Sequence, residues 1–133
     1  MQNKSDFKIL AIDDDKDILL LLKYNLESEG YYVETASSGK KGISLAQKIN
    51  PNLMLVDIMM PDMDGIQTCI KLREIDNLKS SYILFLTARA EEYSEVAAFD
   101  AGADDYITKP IKPRALLSRI NSFYKRVSSK VTS

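Results

Sequence analysis

The chain of 133 residues contains no histidine. It therefore cannot assemble a Ser-His-Asp triad, a His-ligated metal site or a histidine phospho-carrier from its own residues. Its single cysteine, Cys69, cannot close an internal disulfide, which fits a reducing cytoplasm. No apolar run approaches the length of a membrane span, and the first eight residues lack the apolar core of a secretory leader. The expectation is a cytoplasmic location with no membrane contact. A net charge of −1 leaves no excess of one sign to favour direct binding of nucleic acid or anionic lipid. Repeats, low-complexity segments and internal linkers are also missing, so the length bounds a single domain.

What is present is a regular alternation. Residues 8–12 form a short apolar strand closed by Asp13-Asp14-Asp15. Residues 16–29 carry Ile18, Leu19, Leu22 and Leu26 at helical spacing, with Gly30 as a stop. Residues 31–36 are β-rich, and the next helix, with Ile43, Ala46 and Ile49 on one face, ends at Asn50-Pro51. Leu53, Met54, Leu55 and Val56 are too short a run for a helix and read as a strand buried on both faces, delivering Asp57 at its C-terminal end. Pro61 and Asp64-Gly65 then break the chain, with Asp62 and Asp64 in turn and cap roles. Ile66, Cys69, Ile70 and Arg73 open a third helix, with Cys69 as a small core residue. Residues 82–86 are a fourth strand ending at Thr87. Residues 91–101 are a helix with Val96, Ala97 and Phe99 as its apolar face. Residues 105–108 are a fifth strand ending in Lys109-Pro110. A last helix over residues 113–127 shows Leu116, Leu117, Ile120, Phe123 and Val127, and residues 128–133 read as an unstructured polar tail.

Five strands alternating with five helices predict an α/β fold: one doubly wound parallel sheet with right-handed crossovers and helices on both faces. For this size the natural strand order is flavodoxin-like, 2-1-3-4-5, whose topological switch point lies between strands one and three. Asp13 and Asp14 end the first of these strands and Asp57 ends the other, so the acidic residues converge on one crevice.

Carboxylates brought that close raise one another's pKa unless a cation holds them. Oxygen donors without imidazole or thiolate select a hard ion, Mg²⁺ first and Mn²⁺ or Ca²⁺ after it. The hydroxyl of Thr87 and the ammonium of Lys109 end strands four and five at the same rim. Together these groups describe a phosphoryl site in which Asp57 is the nucleophile, while Lys109 and Thr87 contact phosphoryl oxygens. Singly, each has a mundane role: Asp13 to Asp15 as a helix cap, Thr87 as a strand-end hydroxyl, Lys109 as a solvated charge. Their coincidence at one edge is what favours chemistry.

These residues also carry a resemblance. Asp13-Asp14, the block from Val56 to Gly65, Leu86-Thr87-Ala88, the segment from Gly102 to Tyr106 and Lys109-Pro110 resemble the receiver domain of bacterial two-component response regulators, over residues 1–127 with the tail beyond. The resemblance implies a switch in which Asp57 accepts a phosphoryl group from a sensor histidine kinase or phosphotransfer protein. Such a chain phosphorylates and dephosphorylates its own aspartate and turns over no external substrate. It further implies Mg²⁺ on Asp14, Asp57 and the backbone carbonyl of Met59, with Asp13 acting through water, and a cis peptide before Pro110. Thr87 and Tyr106 would be the switch pair, altering the surface of helix four, strand five and helix five.

On that face Asp100, Asp104 and Asp105 stand against Arg114, Arg119 and Arg126, a set able to pair across a two-fold axis in a homodimer. The chain departs from receivers that dimerise there by carrying Glu95 and Ala115 where a basic and an acidic residue are usual. Met59 and Arg89 flank the path of an attacking water and would set the lifetime of the acyl phosphate. Three other readings compete. A haloacid-dehalogenase-type phosphatase needs an aspartate where Met59 stands. A flavodoxin-type FMN carrier needs a hydroxyl- and glycine-rich loop where three aspartates stand. The third is a degenerate receiver that binds partners without phosphorylation.

Overall fold

The computed structural model describes residues 3–88 and 95–132. Its elements run β1 (Lys8–Ile12), α1 (Lys16–Ser28), β2 (Tyr32–Ala36), α2 (Gly39–Ile49), β3 (Leu53–Asp57), α3 (Gly65–Arg73), β4 (Tyr82–Thr87), α4 (Glu95–Asp100), β5 (Asp105–Thr108) and α5 (Pro113–Thr132), with short 3₁₀ turns at Lys4–Asp6 and Asp76–Leu78. The strands form one parallel sheet in the order β2-β1-β3-β4-β5.

Local chemistry fixes the joints. Asp15 caps α1 by accepting from the backbone N–H groups of Asp17 and Ile18. Asp64 opens α3 in a reciprocal capping box with Gln67, and Asp62 takes φ 67° in the preceding turn. Tyr31 is not in β2, because its N–H donates to the Leu26 carbonyl and closes the end of α1. All five residues of β3 are buried, as a strand covered on both faces must be. One apolar cluster joins the sheet to α2, α3 and α4 through Met54, Val56, Phe85, Ala46, Leu72 and Ala98; the other joins it to α1 and α5 through Leu55, Leu84, Leu22, Leu116 and Ile120.

On α3 the buried stripe is Gly65, Thr68, Cys69 and Leu72, with Cys69 in the core as expected, while Ile70 is exposed. Two expectations need correction. On α4 Ala98 is buried, as is Ala101 just after the helix, whereas Phe99 is 46% exposed and Ala97 is also outside; the side chain of Val96 lies outside the described residues. Small side chains let that short helix lie close to the sheet, and its weak periodicity could not reveal the rotation. Residues 128–132 continue α5 instead of forming a loose tail. Once the helix is anchored by Leu116 and Ile120, each further residue adds a backbone hydrogen bond, and Ser, Lys, Val and Thr oppose this by only a few tenths of a kcal/mol each, roughly. The expected start of the fourth helix, residues 91–94, lies outside the described residues.

Candidate functional site

Four strand ends supply the site. Asp13 follows β1 directly and is fully buried. Its backbone N–H donates to the Ala36 carbonyl (3.1 Å), and its Oδ1 accepts from the Asp15 N–H (2.9 Å). These two bonds fix its carboxylate against the crevice wall. Asp14 is exposed at the mouth. Asp57, the last residue of β3, is 3% exposed. One carboxylate oxygen from each of Asp13, Asp14 and Asp57 lies within 4.8 Å of the other two.

Lys109 bridges the deeper pair. Its Nζ donates to Asp13 Oδ2 and to Asp57 Oδ1, both at 3.1 Å. Its backbone N–H donates to the Thr87 carbonyl at 2.6 Å, so β4 and the chain after β5 are tied together at the rim. The Lys109-Pro110 peptide is cis, as expected. Thr87 is buried at the end of β4, in register with Thr108.

Burial and the neighbouring Asp13 push the Asp57 carboxyl up to about 6, even though the Lys109 charge and hydrogen bond pull it down. Burial alone would lower Lys109, but its bonds to Asp13 and the charges of Asp13 and Asp57 hold it above the ordinary lysine range. Three carboxylates against one ammonium leave negative charge uncompensated, and Asp13 and Asp14 add to the burial that raises Asp57. An all-oxygen donor set with an electrostatic deficit of this sign fits a hard divalent cation.

Gly65 is a requirement that sequence reading missed. A Cβ there would come within 2.3 Å of the Asp57 carbonyl oxygen, so only glycine lets α3 start against the end of β3. The Gly65 N–H donates to the Ile58 carbonyl (2.8 Å), and the Ile58 N–H donates to the Leu86 carbonyl (3.0 Å). The loop carrying Asp57 is thus pinned on both sides. The Asp64-Gly65 pair was visible as a turn signal, but the approach that demands it was not. The bonds from Lys109 to both aspartates, as opposed to phosphoryl oxygens alone, were likewise invisible before the chain was folded.

Met59 is 53% exposed beside the site. Tyr106 is half-buried and packs with the cluster on the α3 and α4 side, not on α5. Three of the charges expected to pair across a dimer axis, Asp104, Asp105 and Arg119, are engaged within the chain. Asp104 bonds Arg73 (2.8 Å) and Asp105 bonds Arg119 (2.7 Å). Arg89 lies outside the described residues, as does the side chain of Glu95. All of Asp13, Asp14, Asp57, Thr87 and Lys109 occupy the one rim that the sequence assigned them. No helix among the described residues is long and apolar enough to cross a membrane.

The sequence matches the response regulator receiver domain family over residues 9–121. Among characterised relatives, the alkaline phosphatase synthesis transcriptional regulatory protein PhoP of Bacillus subtilis is 43% identical over 119 residues, which are 90% of this chain and 49% of that protein. The transcriptional regulatory protein ResD of the same organism is 40% identical, over 96% of this chain and 52% of that one. The chain thus spans about half the length of these relatives. Among solved structures, the Vibrio cholerae chemotaxis protein CheY4 superposes with a TM-score of 0.82 at 30% identity, covering 87% of this chain and 97% of CheY4.

Proposed function

This chain belongs to the response regulator receiver domain family, and from that premise we propose that Asp57 is its phosphoryl acceptor, supplied by a sensor histidine kinase or phosphotransfer protein. The observation that carries the proposal is the gathering of Asp13, Asp14 and Asp57 around one crevice with Lys109 bonded across it. A carboxylate oxygen of Asp57 attacks the donor's phosphorus, an acyl phosphate bond forms, and the bond to the donor's leaving atom breaks, that atom taking the electron pair.

Asp57 must be ionised to attack, and Lys109 favours the ionised form. Asp14, Asp57 and the backbone carbonyl of Met59 are the groups to hold Mg²⁺ (Mn²⁺ being an alternative), with Asp13 acting through water. When bound, the ion neutralises charge on the phosphoryl oxygens. Once Asp57 is phosphorylated, Lys109 is free to redirect its Nζ donor to a phosphoryl oxygen. Thr87, the residue after Leu86, which is in register with Asp57, offers a hydroxyl to another.

The new group carries about −1.5 to −2 charges, which draws Thr87 and Lys109 toward it. Tyr106 on the neighbouring strand then responds, and the α4–β5–α5 surface changes. That surface is the proposed output, including contact with a second copy. The intrachain pairs Asp104–Arg73 and Asp105–Arg119 leave fewer charges for such a dimer than the sequence suggested. The location proposed is cytoplasmic, where a histidine kinase's phosphoryl group is available, and direct nucleic-acid binding is not assigned to this domain.

Intact-mass measurement tests the reading. With a small-molecule phosphodonor and Mg²⁺ the chain should gain one phosphoryl group, and Asp57→Asn should gain none. Equal gain by Asp57→Asn would refute it.

A further inference from the structure

The outer edge of β2 carries a second polar site that phosphorylation at Asp57 does not use. A groove of about 500 Å³ runs over this edge between α1 and α2, within the roughly 300–1,000 Å³ typical of small-molecule sites. Lys41, Ser44, Leu45 and Lys48 form its α2 wall. Their spacing of i, i+3, i+4 and i+7 places them on a single stripe, with the two lysines about 10 Å apart along the helix. Lys16 at the start of α1 closes the opposite side, and Ser37 lies at the end of the strand between them.

The three lysines are exposed and none is in an ion pair among the described residues. The imbalance extends beyond the groove. Between Glu34 and Asp57 the sequence has Lys40, Lys41 and Lys48 but no Asp or Glu, although the whole chain carries a net −1. Glu34 itself is not among the residues lining the groove. Leu19 and Leu45 supply an apolar patch beside the cationic groups.

The open edge of a sheet also invites an added peptide strand, and the structure argues against that occupant. The Tyr32 N–H and Ala36 carbonyl bond to the β1 side, so alternation turns the backbone groups of Val33 and Thr35 outward. Of these, the Val33 carbonyl already accepts from Lys23 Nζ at 3.1 Å. A lysine laid across an edge blocks strand addition. What the groove retains are separated ammonium groups, hydroxyl donors and a small apolar wall.

We infer that this groove binds a small molecule bearing a chain of phosphoryl groups, its charges held by Lys16, Lys41 and Lys48 and its oxygens by the hydroxyls of Ser37 and Ser44. Lysine suits this as a compact point charge with three donors. Free polyphosphate and a nucleoside polyphosphate share that chemistry, and the second would also use Leu19 and Leu45.

Titration of the full chain with tripolyphosphate, and separately with ATP, tests this in EDTA so that no cation recruits phosphate to the aspartates. Amide chemical shifts and calorimetry are the readouts. Saturable binding with shifts centred on β2 and α2 is expected. It should weaken at least tenfold in Lys41→Gln/Lys48→Gln, recover in Lys41→Arg/Lys48→Arg and persist in Asp57→Asn. Lys41 and Lys48 are both solvent-exposed, and a thermal melt of each variant verifies folding. Tighter binding of ATP than of tripolyphosphate would assign the nucleoside source, and the reverse order the free polyphosphate. Absence of saturable binding by both at millimolar concentration would overturn the inference. So would binding that Lys41→Gln/Lys48→Gln leaves intact.

Discussion

At Asp57 the fold opposes the charge that its chemistry needs. The carboxyl is raised from 3.8 to about 6, chiefly by burial and then by Asp13. Between those values the folded chain holds a proton that the unfolded chain has released. Stability therefore falls as pH rises from about 4 to about 6, and the loss, on the order of 3 kcal/mol at most, persists at neutral pH. Without divalent cations Asp57→Asn is expected to be more stable than the parent at pH 7, with an advantage that vanishes near pH 4. Urea denaturation at the two pH values measures this, and a variant no more stable at pH 7 would contradict it. Cys69 gives a second residue-level expectation. It is fully buried, its thiol is pushed up to about 11 chiefly by burial, and its Sγ donates to the Ala101 carbonyl. It should resist thiol reagents in the folded chain and react once the chain is unfolded. Rapid modification under native conditions would contradict this. Met59, half-exposed beside Asp57, should slow attack by water on the acyl phosphate. Met59→Asn is expected to shorten its lifetime, read as the rate of phosphate release with Mg²⁺, and an unchanged rate would remove that role. The reacting residues were legible in the sequence because each ends a strand, and strand ends in a parallel sheet share one rim. Their mutual bonds were not, since a lysine's reach to two aspartates depends on side-chain geometry that spacing does not encode.

Among the elements, β3 and α3 meet with the least tolerance. A methyl group at position 65 would overlap the Asp57 carbonyl, which is backbone and cannot swing aside. Gly65→Ala is expected to cost about 1–3 kcal/mol, the usual range for overpacking. It should also reduce phosphoryl uptake by displacing Asp57; urea melts and intact mass read the two effects separately. Unchanged stability would show that α3 can withdraw freely. A second junction rests on Arg73, whose guanidinium donates to the carbonyls of Leu78, Lys79, Ser81 and Gly102 and to Asp104. Asp104 in turn accepts from the Ile83 N–H at 2.8 Å. One side chain thus joins the end of α3, the entry to β4 and the turn before β5. Strong periodicity made α1 and most of α5 readable, and the all-apolar run made β3 so. The faces of α3 and α4 were less clear because alanine, threonine and glycine cover their buried sides, and those residues carry little hydropathy contrast. Arg73 was read only as part of a helix; its carbonyl partners lie on loops that no residue pattern brings together.

Taken whole, the molecule is a five-stranded parallel sheet with a cluster of carboxylates at one rim. The order 2-1-3-4-5 opens a crevice between β1 and β3, where consecutive connections diverge, and the aspartates ending those strands make it acidic. This level was the most legible, since alternating elements of these lengths admit few topologies. A ligand that binds only the folded crevice stabilises the whole chain. Millimolar Mg²⁺ is therefore expected to raise the melting temperature at neutral pH, and less so in Asp14→Asn/Asp57→Asn. A switch needs more: phosphoryl group and cation must favour one arrangement of the α4–β5–α5 surface over another, because equal affinity for both would shift nothing. All of this depends on where the phosphoryl group becomes attached. Borohydride reduction of the phosphorylated chain converts an aspartyl phosphate to homoserine, and peptide mass spectrometry then locates it. The account predicts homoserine at position 57, formed only when both phosphodonor and Mg²⁺ are supplied. Homoserine at Asp13, Asp14 or Asp62 instead, or at no position, would contradict it.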